Sequence, residues 1–347
     1  MTGRATWIMP ALVALLGVML VVSLGSGAMT ISPGQVLTIV AAKIGLTLPW
    51  SVDPTQVSVL WFIRLPRVLL AAIVGGSLSV AGAAMQGLFR NALADPGLVG
   101  VSSGAALGAA TIIVLSPAAL MGLSEVWGML TLPVAAFVGG LGCTLIVYRL
   151  STRNGQTSVA TMLLAGIAVN ALCGALLGLL TYISDEAALR SLTLWSLGSL
   201  GGATWSVVAI ATPVMALASV LLMGVAQPLN AMLLGEHEAR HLGVDVRRVK
   251  QGVVALVALS VGAGVGFTGM IGFVGLVVPH IVRLMVGPDH RQLMPGSALL
   301  GASLLLGADL VSRTAVAPAE LPIGVITALV GAPFFLALMQ RQHLREA

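Results

Sequence analysis

Charge is scarce in this chain. It has 17 basic and 12 acidic side chains among 347 residues, or 8% charged. A soluble domain carries about 25% and uses them to coat its surface. The shortage excludes a water-facing shell for most of the molecule. With 58% hydrophobic residues and a mean hydropathy of +1.04, most of the surface is expected to meet lipid. Lysine is rarer still. Only Lys43 and Lys250 occur, and neither stands in a G-x-x-x-x-G-K-[ST] loop. That excludes nucleotide hydrolysis by a P-loop in this chain. The two cysteines, Cys143 and Cys173, lie within apolar runs. Such a pair makes no disulfide framework and reads as core packing.

Long apolar runs are what the sequence does have. They cover residues 7–25, 65–85, 98–117, 126–148, 159–183, 204–226, 248–270, 272–286, 294–312 and 321–340. A bilayer core of about 30 Å needs roughly 20 apolar residues per helix. The expected fold is therefore all-α and polytopic, with ten membrane helices forming one transmembrane domain over residues 1–347. The eighth run is short, and residues 187–202 read as a short helix ahead of the sixth span. Residues 28–60 are the longest soft connection. The first run, Ile8 to Leu24 behind Arg4, exceeds the roughly 7–15 residues of a signal-peptide core. It is expected to be a retained first helix.

Basic residues set the orientation. With the N-terminus in the cytoplasm, twelve Lys and Arg fall on cytoplasmic segments and five on the far side: Lys43, Arg64, Arg67, Arg190 and Arg313. This sorting fits ten spans with both ends inside. The excess positive charge is accordingly read as topological, with no nucleic-acid partner implied. Glycine pairs Gly104/Gly108, Gly174/Gly178 and Gly262/Gly266 are small-residue steps that let membrane helices approach closely. Asn170 shares a helical face with Gly166, Gly174 and Gly178. It bonds to a neighbouring helix or lines a cavity, with packing favoured. Asp309 is the clear intramembrane carboxylate and has Arg313 four residues on, within pairing reach on one helix face. His237 and His241 are spaced for half a zinc site, but nothing nearby supplies cysteine. No metal site and no catalytic residue is expected in the chain.

The scarce charge is also concentrated. Glu236, Glu238, Arg240, Asp245, Arg247, Arg248 and Lys250 fall within fifteen positions, beside His237 and His241. The stretch "PLNAMLLGEHEARHLGVDV" reads as two short amphipathic helices joined at Gly235, with Leu229, Met232 and Leu233, then Ala239 and Leu242, at helical spacing. An apolar stripe framed by charge suggests a protein partner.

Here the sequence resembles the FecCD/BtuC family of bacterial ABC importer permeases. The resemblance rests on "RLPR" at 64–67, "GAAMQGLFRNALADPGLVGVSSGAALGA" at 82–109, "LLAGIAVN" at 163–170 and the 229–244 stretch. It rests above all on "GMIGFVGLVVPHIVRLMVGPDHRQLMPGSALLGA" at 269–302, with "GADLVSR" at 307–313 and "ELPIGVITALVGAPFF" at 320–335 following. One departure is Ala92, where the family usually has proline, which leaves that turn less rigid.

The resemblance implies a permease subunit in the bacterial inner membrane. It works as a homodimer with two ATPase subunits and a periplasmic substrate-binding protein. The chain itself binds no cofactor, and ATP and magnesium belong to the partner ATPase. Residues 228–246 become its cytoplasmic coupling helices, with Leu229, Leu233, Gly235, Glu236, Ala239, Leu242, Gly243 and Val244 as coupling residues. Arg64, Arg67 and Arg313 become docking positions for the binding protein, although Asp309 offers Arg313 an internal alternative. Asn91, Leu93, Val159, Ala160 and Asn170 become path and gate residues. Few polar groups line the implied path. The expected cargo is an iron-containing chelate, with haem first, ferric siderophores next and corrinoids third. An ion-coupled secondary transporter is the remote alternative and would depend on Asp309.

Overall fold

The computed structural model describes residues 2–27, 29–46, 48–119, 128–153 and 156–346. It is built of helices, apart from one two-residue hairpin that pairs β1 (Thr152–Arg153) with β2 (Gln156–Thr157). In chain order, α1 (Thr2–Gly25), α2 (Pro33–Lys43) and α3 (Pro54–Ser58) come first. A π-helical segment, Val59–Arg64, runs from α3 into α4 (Leu65–Phe89). After a 3-10 turn at Pro96–Val99 come α5 (Val101–Ala119), α6 (Thr131–Leu150), the hairpin and α7 (Val159–Ile183). Then follow α8 (Glu186–Ser196), α9 (Trp205–Gly224), α10 (Ala226–Leu233), α11 (Glu236–His241) and α12 (Val246–Thr268). The last three are α13 (Val274–Val286), α14 (His290–Thr314) and α15 (Ile323–Glu346).

Seven helices among the described residues are long and apolar enough to cross a membrane, and three shorter apolar helices accompany them. All ten coincide with the ten apolar runs, although the start of the 126–148 run lies outside the described residues. The short eighth run has a geometric reason. α13 has 13 residues, about 20 Å at 1.5 Å per residue, which is less than the hydrocarbon thickness. The 28–60 connection differs from expectation, because it contains α2 and α3. Each starts in a capping box, Ser32 with Gln35 and Asp53 with Gln56, which satisfies backbone N–H groups that would otherwise be orphaned.

The α4 helix is central. Of its most apolar window, 83% is buried, and α9, α12, α13 and α14 pack around it. Its sequence explains this: Gly75, Gly76, Ser77, Ser79, Gly82, Ala83, Ala84 and Gly87 present almost no side-chain bulk. Gly75 lies against the Gly301 backbone of α14, and Gly82 against Gly275 of α13. In contrast, α7 is only 17% buried over its window.

Two of the three glycine steps pack as expected. Gly104 and Gly108 meet the Gly139 and Ala135 carbonyls of α6, and Gly262 and Gly266 of α12 meet Phe137 and Pro133 on the same helix. Gly174 and Gly178 have open space instead, on the exposed face of α7. Gly108→Val is therefore expected to cost about 1–3 kcal/mol or more through overpacking, whereas Gly178→Val should leave fold stability unchanged. Thermal unfolding of the detergent-solubilised chain compares the two. Equal losses would contradict the packing described. Cys143 and Cys173 join α6 to α7 as buried free thiols, with sulfurs 3.3 Å apart.

Candidate functional site

The charged patch folds as the sequence suggests. α10 and α11 are two short helices joined at Gly235, whose φ of +128° is open to glycine and rarely to other residues. The Gly235 N–H donates to the Met232 carbonyl (3.1 Å), and its own carbonyl accepts from Ala239 N–H (3.0 Å). Gly243, at φ +83°, ends α11, and the Val244 N–H returns to the Ala239 carbonyl.

The predicted stripe divides between inside and outside. Leu229, Met232, Gly235 and Ala239 are buried against the chain, while Leu233, Glu236 and Val244 are half-buried. Gly243 is exposed, and so is Leu242, at 64%. Leu234, at 68% exposed, stands out most and was not among the predicted residues. The i, i+4 pattern from Leu229 picks Leu233, but the turn at Gly235 throws Leu234 outward.

Two polar links fasten this pair of helices to the body. On α10, the Asn230 amide donates to Asp289 (2.6 Å), and its oxygen accepts from the His290 N–H (2.9 Å) and lies 2.8 Å from His290 Nδ1. The Arg291 backbone N–H, with help from Asn230, holds the Asp289 carboxyl below its ordinary range. On α11, Glu236 pairs with Lys250 at 2.7 Å.

The gate candidates are placed separately. Asn91 Oδ1 accepts from the Leu93 N–H (2.9 Å), a turn local to the α4–α5 connection. Leu93 shares a small apolar crevice with His280, Phe334 and Phe335. Val159 and Ala160 open α7 behind its N-cap, Ser158, with Ala160 exposed. Asn170 donates to the Gly97 carbonyl (3.2 Å), the interhelical bond of the packing alternative.

At the other end, three arginines and two carboxylates line one cavity. Arg67 donates from Nε to Asp309 (2.8 Å) and from both Nη atoms to Glu320 (2.8 and 2.9 Å). Arg313 approaches the second Asp309 oxygen at 3.3 Å and donates to the carbonyls of Ser23 (2.5 Å) and Ser26 (2.6 Å). Arg64 donates to the carbonyls of Leu24 (2.7 Å) and Met29. Thus Arg64 and Arg313 satisfy carbonyls at the C-terminus of α1, which has no basic residue in its own last turn. Neither Arg64 nor Arg67 has a partner nearby in sequence. Both are nevertheless paired within the chain, and the partners of Arg67 lie 242 and 253 positions away, out of reach of any local pattern. The cavity has a volume of about 520 Å³. The Arg67 guanidinium holds Glu320, in the α14–α15 loop, below the ordinary glutamate range.

Two catalytic-looking strings also occur in the sequence. Residues 237–241 spell H-E-x-x-H, and residues 100–104 spell G-x-S-x-G. Neither sits in the context its chemistry needs. His237 and His241 lie on an exposed six-residue helix, and no group of three metal-ligating side chains occurs among the described residues. Ser102 follows a 3-10 turn rather than a strand, so no nucleophile elbow forms.

The apolar helices and their arrangement define a multi-pass membrane protein with the fold of a BtuC-like ABC transporter permease. The chain belongs to the FecCD transport family, whose model matches residues 15–341. It is 52% identical over 281 residues to the hemin transport system permease protein HmuU of Yersinia pestis, covering 81% of this chain and 83% of that one. It is 45% identical over 314 residues to the cobalamin import system permease protein BtuC of Halobacterium salinarum, covering 90% and 81%. A solved structure, described as an inward-facing metal-chelate type ABC transporter, superposes with a TM-score of 0.83 at 33% identity. It covers 97% of this chain and 99% of its own.

Proposed function

We propose that this chain is the permease subunit of an ATP-driven importer and moves an iron-containing chelate, haem, into the cytoplasm. The observation that carries the importer reading is the α10–Gly235–α11 unit. It presents Leu234 and Leu242 outward within the densest charge of the chain. Exposed leucines framed by charge suit a protein partner, here a separate ATPase that binds ATP and magnesium. The working assembly is two permease copies, two ATPase subunits and a substrate-binding protein on the outer face, with both permease termini in the cytoplasm.

Two observations support haem. Identity to the hemin permease is 52%, against 45% and 43% to cobalamin permeases. The exposed face of α7, with Leu164, Ile167, Leu172, Leu176 and Leu179, carries no charged side chain. An apolar wall favours a flat hydrophobic macrocycle over a polar siderophore. The ion-coupled alternative loses its coupling carboxylate, because Asp309 is fully buried between Arg67 and Arg313.

The test is reconstitution in liposomes with the partner ATPase and the cognate binding protein. Uptake of haem that requires ATP and survives Tyr182→Phe is expected, since cargo should pass without an axial ligand from this chain. Uptake of cobalamin or a ferric siderophore, with none of haem, would overturn the cargo while leaving the importer reading in place.

A further inference from the structure

Lys250 is buried, at 2% exposure, near the start of α12. Lysine is almost never fully buried unless its charge is paired. Its ammonium meets two groups from two other elements. It pairs with Glu236 of α11 at 2.7 Å and donates to the Thr157 carbonyl of β2 at 2.6 Å. Thr157 immediately precedes Ser158, whose side chain caps the first turn of α7 by accepting from the Thr161 N–H. One ammonium therefore stands between the exposed helix α11 and the opening turn of α7, where Val159 and Ala160 lie.

The strand that carries Thr157 is tied to its neighbours by several hydrogen bonds. Thr152 and Thr157 are paired across the hairpin, and their hydroxyls lie 2.9 Å apart. The Thr157 hydroxyl also donates to the Tyr148 hydroxyl of α6 (3.3 Å), and the Ser158 N–H donates to the Ser151 carbonyl (3.1 Å). The other charged neighbour of Glu236, Arg240, stands at 4.0 Å with its side chain 54% exposed. Exposed pairs of that kind contribute little. The link from α11 to the α7 cap thus runs through Lys250.

We propose that Lys250 is a positioning residue that carries movement of α11 into the first turn of α7, so that ATPase motion reaches the Val159–Ala160 end of the path. This rests on the proposed function, in which α11 contacts the ATPase.

The experiment uses the full reconstituted complex, with Cys143 and Cys173 replaced by alanine and a fluorescent probe on Ala160→Cys. The readouts are ATPase copurification, ATP hydrolysis, haem taken up per ATP, and the probe's response to ATP with vanadate. Lys250→Met is expected to retain the ATPase and its hydrolysis but to lose roughly fivefold in uptake per ATP and in probe response. Lys250→Arg, which keeps the charge and the donors, should restore most of both. Glu236→Gln should lower uptake per ATP as well, and the double variant with Lys250→Met should be no worse than the worse single change. Three results would overturn the proposal: a wild-type probe response in Lys250→Met, loss of the ATPase from that variant, or fully additive effects in the double variant. A wild-type complex whose probe responds to ATP but which takes up no haem strikes the cargo reading alone. The variants are then compared on the probe response.

Discussion

Gly235→Pro is expected to abolish ATP-driven uptake while the chain still inserts in the membrane. Proline fixes φ near −65°, and Gly235 has φ +128°. Proline would also remove the N–H that bonds to Met232. The joint between α10 and α11 cannot keep its angle under both changes, so Leu234 and Leu242 lose their placement relative to each other. The insult is local, because the membrane helices do not pass through this turn. Leu234→Asp is the companion change. Leu234 is 68% exposed, so aspartate there costs the isolated chain almost nothing. In contact with an ATPase it would bury an unpaired charge, and that is costly. Both variants should lose copurification of the ATPase and lose uptake together. Normal uptake in either one would remove the α10–α11 unit as the coupling surface.

The expected phenotype also shows which parts of the site could be read from sequence. Local patterns survived folding. The apolar runs marked the helices to within a few residues, since burial in lipid demands unbroken apolar stretches whatever the tertiary contacts. The α10–α11 pair was legible because its leucine spacing and its glycines are local. Other local signals stand in the same sequence. Ser32 with Gln35 and Asp53 with Gln56 are capping boxes that announce α2 and α3. The residues 237–241 contain an H-E-x-x-H string on a helix too exposed to use it.

Tertiary facts were not legible. Nothing near Lys250 in sequence says that its ammonium reaches Thr157, 93 positions earlier. Periodicity put Leu229 and Leu242 on one stripe, but the structure buries the first and exposes the second. A helical pattern gives a face, and it does not say which neighbour covers that face. Gly174 and Gly178 show the same limit. They form the same small-residue step as Gly104 and Gly108, yet only the latter meets another helix within this chain.

Arg64, Arg67 and Arg313 make the sharpest contrast between local and distant partners. Arg67→Glu is expected to prevent stable folding rather than merely weaken docking. The change removes one of the two arginine partners of Asp309, which is fully buried, and adds a carboxylate beside Asp309 and Glu320. Breaking a buried pair by removing one partner costs about 3–5 kcal/mol, and the like charges add to that. Glu320→Gln tests docking instead. Its side chain is 46% exposed, so the fold should tolerate the change. Losing that carboxylate frees the two Arg67 donors that Glu320 holds. If an acidic group of a binding protein takes the place of Glu320, capture at low ionic strength should become at least as tight as in the wild type, mainly through faster association. Weaker capture would mean that Glu320 itself belongs to the contact, or that Arg67 only holds α4 to α14. The pH dependence follows from the direction of the Glu320 shift. Arg67 lowers its pKa below the ordinary glutamate value, so the stabilisation is fully present above that value and is lost as pH falls through the lowered one. Thermal stability measured from neutral pH down through the glutamate range should show this loss in the wild type, and Glu320→Gln should flatten that part of the curve. An unchanged curve in Glu320→Gln would assign the acid sensitivity to other carboxylates.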